Sequence, residues 1–158
     1  MTRDLAARFA KVLIGHAITD RYPTRSVEYM LAWMMMAWSF TLAMPGQILV
    51  GPTYQFLTAL MPESGWAALG IVTASARLFA LIRNGSWYKS PYLRLAGACV
   101  GFNFWLLLAV LYGLAFHNGA PLFPMYGCLP VFMFFEVYSA YRCGQDAQEN
   151  ADKRKANA

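Results

Sequence analysis

The sequence predicts an all-α protein: a four-helix transmembrane bundle with an N-terminal amphipathic helix. Three observations predict it. Of 158 residues, 58% are hydrophobic and only 13% charged, about half the charged share of an ordinary soluble domain. The apolar residues gather into four runs of roughly membrane-spanning length. The basic residues fall almost wholly on one side of the arrangement those runs imply.

The elements follow in order. Residues 1–22 read as a cytoplasmic amphipathic helix. Leu5, Phe9, Val12 and Leu13 recur at helical spacing, with Asp4, Arg8 and Lys11 opposite them. This stretch mixes Arg3, Asp4, Arg8, Lys11, His16 and Asp20 among its apolar residues. It is therefore no secretory signal, which needs an unbroken apolar centre. Residues 23–141 form the membrane domain, and 142–158 a polar cytoplasmic tail expected to be a frayed helix or disordered.

Pro23, Thr24 and Ser26 start the first span, Val27 to Met44, with Glu28 expected in its first turn, where the helix dipole favours an acid. Pro45-Gly46 ends it. The linker Gln47 to Ser64 is apolar but broken by Gly51-Pro52 and Pro62. It is too short between breaks to cross about 30 Å of hydrocarbon, so a surface or re-entrant half-helix is expected. The second span runs from Gly65 to Ile82. Trp66 is expected at its outer edge, as belt aromatics are, and Arg83 at its inner edge. The third runs from Leu93 to Phe116, after Pro91, and turns at His117-Asn118-Gly119. The fourth runs from Leu122 to Tyr141 and is expected to kink at Pro130.

All thirteen basic residues except Arg77 fall at the N-terminus, in the middle loop and its edges, or in the tail. That asymmetry places both ends and the middle loop in the cytoplasm. It also separates the net charge of +5 from nucleic-acid binding, which would gather basic residues on one face.

Two ionisable residues lie within spans. Arg77 and Glu136 each sit six residues before the basic residue that ends their helix, Arg83 and Arg142. At about 1.5 Å per residue both lie roughly 9 Å from the cytoplasmic edge. Opposite charges at matched depth form an intramembrane ion pair that fixes helix docking. Two other readings remain open: Arg77 snorkelling to headgroups, and Glu136 titrating in an ion path. Glu28 is a second candidate partner for Arg77. Gly97 and Gly101 form a GxxxG face for close helix packing, and Asn103 is expected to hydrogen-bond across helices.

No catalytic motif is present: no GxSxG, HExxH, phosphate-binding loop or paired aspartates. His16 and His117 fall on opposite sides, so no metal site or cofactor is expected. Cys99, Cys128 and Cys143 have neither the spacing nor the His partners of a zinc site, and read as small apolar fillers. The lipid bilayer and further copies of the chain are the expected partners, with no nucleic acid. A protein partner stays open.

Met61-Pro62-Glu63, Trp66, Gly70, Arg77-Leu78, Ala80-Leu81, Asn84-Gly85, Ser90-Pro91, Arg94, Gly97-Ala98 and Trp105 resemble the small multi-span proteins of tailed bacteriophages and prophages, some of them labelled holin-like. The resemblance covers about residues 61–105 and implies the inner membrane of an infected bacterium. It supplies no catalytic residues. The expected function is a non-enzymatic, holin-like protein that oligomerises to make or regulate a membrane lesion. Two alternatives stand beside it: a membrane-anchored interaction or superinfection-exclusion protein, and a small ion or proton channel or transporter subunit using Glu136.

Overall fold

A computed structural model describes residues 24–83 and 90–156. The amphipathic helix expected over 1–22 and the loop carrying Lys89 lie outside the described residues. The described chain is all-α, with no strand among the described residues. Its helices are α1 (Thr24–Leu42), α2 (Gln55–Leu60), α3 (Glu63–Arg83), α4 (Ser90–His117) and α5 (Cys128–Ala156), with a short 3-10 turn at Pro52–Tyr54 before α2.

Two helical segments, Glu63–Ile82 in α3 and Tyr92–His117 in α4, are long and apolar enough to cross a membrane. The other two long helices are mixed. α1 opens on polar residues around Glu28, and α5 is apolar only as far as Tyr141.

The long helices form two antiparallel hairpins, α1 with α3 and α4 with α5. Antiparallel connection puts Glu28, Arg83, Arg94 and the α5 extension at one end, here the tail end. Residues 43–62 and 118–127 lie at the opposite, loop end. Gly70 of α3 lets α1 approach, since a Cβ there would lie 2.8 Å from Ser39 Cβ. Ser39 is buried and donates to its own helix at Met35 O (2.8 Å), so its hydroxyl is satisfied within that tight contact.

Helix ends follow local chemistry. α1 stops at Leu42, two residues before the expected end. Ala43 and Met44 close onto Ser39, Phe40 and Thr41 carbonyls, and Pro45 disfavours helix for the residue before it. α4 ends in a Schellman motif: Ala120 N–H donates to Ala115 O and Gly119 N–H to Phe116 O (both 3.0 Å). Gly119 occupies the left-handed position that this motif requires (φ +86).

Three expectations are corrected. The fourth run is helical from Cys128, not Leu122, because Pro124 and Gly127 lie in turns that delay it. Pro130 then falls in the first turn of α5, where its missing N–H has no intrahelical acceptor to lose. The cause of a kink is therefore absent. Of the two states expected of the tail, disorder is corrected: α5 continues as helix to Ala156.

The linker contains the expected half-helix, α2. Pro52–Tyr54 and α2 lean on α4, with Tyr54 edge-on to Tyr112 (6.0 Å between centroids) and to Phe123 (6.3 Å). Thr53 Oγ1 donates to Pro121 O (3.1 Å), which ties the two hairpins at the loop end. Glu63 folds its carboxylate back to accept Ile48 N–H and Leu49 N–H (3.1 and 3.3 Å).

Candidate functional site: a buried charge column

α5 presents Glu136, Ser139, Cys143 and Asp146 at spacings of three, four and three. That spacing lines them along one helix face. Glu136, Ser139 and Cys143 are buried, and the Asp146 side chain is 18% exposed. The face turns toward Arg77 of α3, Arg94 of α4 and Glu28 of α1, all three also buried.

At the deeper level Arg77 and Glu136 form a bidentate pair. Nη2 donates to Oε2 (2.8 Å) and Nη1 to Oε1. Two parallel N–H···O bonds are the favoured guanidinium–carboxylate geometry. Toward the tail end, Arg94 donates from Nε and Nη2 to Glu28 Oε2 and Oε1 (2.9 and 2.6 Å) and from Nη1 to Asp146 Oδ2 (3.0 Å). Each buried bidentate pair therefore joins one hairpin to the other: α3 to α5, and α1 to α4.

The glycines of α4 make room for the deeper pair. A Cβ at Gly101 would lie 2.7 Å from Glu136 Cδ and would also overlap the bonded guanidinium nitrogen. At Gly97 it would meet Arg77 Cγ at 3.3 Å. The GxxxG face thus receives the ion pair, where close approach of a second backbone was expected. Reading the spacing alone finds the small face but not its occupant.

Arg77 and Glu136 are brought together as their depths suggested. Other expectations change. Glu28 lies in the second turn of α1, since the helix starts at Thr24, and its partner is Arg94 rather than Arg77. Trp66 is fully buried rather than at an edge, and its indole N–H donates to Leu57 O (2.9 Å), holding α2 against α3. Asn103 is exposed and bonds its own helix at Cys99 O (2.8 Å), not a neighbouring helix. The Arg83 side chain lies outside the described residues.

Cys143 is more than filler. Its thiol lies 3.8 Å from Glu28 Oε1 and beside the Ser139 hydroxyl. Burial, helped by the Glu28 carboxylate, pushes the thiol up to about 12. Sequence reasoning missed the roles of Arg94, Cys143, Ser139 and Asp146. The three-four-three polar spacing on α5 was the signal available for it.

Two buried polar atoms on the column have no hydrogen-bond partner among the described residues: Ser139 Oγ and Trp105 Nε1. The Trp105 indole lies beside Glu136 without closing a bond within ordinary geometry. Among the described residues no group of His, Cys, Asp and Glu is arranged to hold a metal ion. No protein family, curated protein or solved structure matches this chain.

Proposed function

We propose that this chain is an integral protein of a bacterial inner membrane. In this reading it crosses four times with both ends in the cytoplasm, and acts as a phage-type, holin-like protein without covalent chemistry. The observation that carries the reading is an inverted distribution of polarity. Large apolar side chains face outward along all four long helices, among them Phe40, Val72 (67% exposed), Phe79, Val100, Val110 and Phe134 (65% exposed). Charged side chains face inward: Glu28, Arg77, Arg94 and Glu136. Water penalises such an exterior and hydrocarbon does not. Four buried charges also need the partners that these have.

The same geometry supports lesion formation. The seam between the hairpins is ionic in its tail half. Copies that part their hairpins there and pair seam to seam would line an opening with Glu28, Arg77, Arg94 and Glu136. Outward apolar faces would keep the assembly in lipid.

Inducible expression in a bacterial host, followed by a membrane-potential dye and growth, tests the lesion. The expected result is collapse of the potential and arrest of growth. Normal potential and growth at high expression overturn the lesion and leave the membrane placement standing. Reporter fusions at Lys89 and at the tail test orientation, and an external signal at either site overturns it.

One observation favours a second reading. α5 continues for fifteen residues beyond Tyr141 as a polar helix, about 22 Å at 1.5 Å per residue. A membrane-anchored interaction protein would present this rod to a partner. Deleting 147–158 would then abolish co-purification of that partner without affecting insertion.

A further inference from the structure

The column changes character abruptly along its length. From Asp146 to Glu136 the inward face of α5 is polar. The next inward positions toward the loop end are Phe132 and Leu129. Opposite them stand Trp105, Leu108 and Met35, which are buried and apolar in body. The polar half therefore reaches the surface at the tail end, through partly exposed Asp146, and gives way beyond Glu136 to an apolar region in which Trp105, Leu108, Leu129 and Phe132 line a cavity of about 280 Å³.

Within the polar half, polar side chains follow one another from Asp146 to Glu136. Asp146 meets Arg94 and Arg94 meets Glu28. Glu28 meets Cys143, Cys143 lies beside Ser139, and Ser139 is one turn from Glu136. Ser139 Oγ and Trp105 Nε1 lie along it as buried polar atoms with unmet bonding capacity among the described residues, a need that water usually meets in protein interiors. Glu28, Glu136 and Asp146 supply three carboxylates against the two guanidiniums of Arg77 and Arg94. Among the described residues of the column this leaves one carboxylate in excess, which favours a cation over an anion.

We propose that this stripe is a one-sided aqueous access path, along which water and a proton or small monovalent cation reach Glu136 from the tail end only. The proposal rests on the four-crossing reading, which makes the tail end the cytoplasmic end. It does not require the lesion. Glu136 is then a carboxylate in contact with one compartment, and the apolar lining at Trp105 and Phe132, which water does not wet, keeps the two compartments apart.

Silver ion tests this, because it is small, monovalent and consumes thiols that water reaches. Three single-thiol chains are needed, each with Cys99→Ser and Cys128→Ser. The first keeps the native Cys143. The second carries Cys143→Ser and Ser139→Cys. The third carries Cys143→Ser and Gln148→Cys, at an exposed tail position. Each is treated with silver nitrate in inside-out and in right-side-out membrane vesicles. The thiols that remain are counted by maleimide after denaturation in detergent.

The expected result is consumption of the Ser139→Cys thiol and of native Cys143 at least tenfold faster from the tail side than from the other. If neither is consumed from either side while the Gln148→Cys thiol reacts from the tail side, the path is overturned and the orientation stands. Equal rates from both sides overturn the one-sidedness. A Gln148→Cys thiol that reacts only in right-side-out vesicles overturns the four-crossing orientation instead. Should the Ser139→Cys chain fail to fold, the native Cys143 chain decides by the same readings, since it leaves the column intact.

Discussion

The tail half and the loop half of this bundle bury different things. In the tail half the helices meet across Glu28, Arg77, Arg94 and Glu136, with Gly97 and Gly101 leaving space. In the loop half they meet across Leu42, Leu57, Trp66, Phe104, Leu108, Tyr112 and Leu129, and the rings pack edge-on or stacked. Trp38 meets Phe104 at 5.6 Å, Phe104 meets Trp105 at 5.3 Å, and Tyr112 stacks on Phe123 at 4.2 Å. The lesson concerns specificity. In the membrane reading proposed above, lipid gives apolar surfaces little reason to prefer one helical neighbour over another. A buried guanidinium tolerates only its carboxylate, whereas aromatic packing tolerates adjustment. The charged half therefore fixes which helices are neighbours, and the aromatic half fills what remains.

If so, the largest effect of any single substitution belongs to the tail half. Glu136→Ala leaves Arg77 buried without its bidentate partner and should cost about 3–5 kcal/mol. Detergent-denaturant titration of the purified chain reads this. Replacing both members, Arg77→Met with Glu136→Leu, should recover most of the loss, because removing an ion pair outright costs far less than orphaning one charge. A double variant as unstable as Glu136→Ala would show that the pair is not the source of the effect. Glu28→Ala should cost less than Glu136→Ala, since Arg94 keeps Asp146 (3.0 Å).

Next in size is Gly101→Ala. The added methyl meets Glu136 Cδ at 2.7 Å and the bonded guanidinium, and forcing such overlap costs about 1–3 kcal/mol. Gly97→Ala meets only the flexible Arg77 Cγ at 3.3 Å and should cost well under half as much in the same titration. Equal losses from the two glycines would mean that backbone approach, not the ion pair, requires the motif.

How much of this the sequence carried can be argued from the same residues. A helix occupies each of the four apolar runs. The Arg77–Glu136 pairing was legible as one of three readings because both sit six residues before a basic residue at the edge of an apolar run, a local count that needs no knowledge of packing. The Glu28–Arg94–Asp146 cluster was not. Glu28 looked like an acid placed for the helix dipole, Arg94 like a loop-edge base, and Asp146 like a solvated tail residue. Each local explanation was sufficient, and only the adjacency of α1, α4 and α5 assembles them. Trp66 failed for a related reason. A tryptophan at the start of an apolar run signals an interface only if the preceding chain leaves it uncovered, and here α2 covers it. The α5 start failed because Pro124 and Gly127 outweigh the apolar residues between them.

In the loop half the expected losses are smaller. Trp66→Phe removes the indole bond to Leu57 O (2.9 Å) while keeping most of the ring. The loss should be about 1–2 kcal/mol, the lower figure for the bond itself, since Leu57 O keeps the Met61 N–H (3.1 Å), and the rest for the smaller ring. α2 is held to α3 through this bond, so hydrogen exchange at the α2 amides should rise in the variant while exchange in α5 stays unchanged. Faster exchange throughout would mean that Trp66 supports the whole bundle rather than the half-helix.

The smallest effect is the most diagnostic of the contrast. Tyr112 is buried and stacked on Phe123 (4.2 Å), and its hydroxyl has no hydrogen-bond partner among the described residues. Removing a buried hydroxyl that bonds nothing relieves a desolvation cost and breaks no bond. Tyr112→Phe should therefore leave stability unchanged or raise it by up to about 1 kcal/mol, with the ring contacts intact. In the tail half deleting any of the four buried charges is not free, because each has a partner that its loss would strand. A loss above about 1 kcal/mol on Tyr112→Phe would mean that the phenol is bonded in the folded protein. The loop half would then depend on a buried side-chain bond within its aromatic stack as well as on that of Trp66, and the division between a charged half that specifies and an aromatic half that fills would no longer describe this molecule.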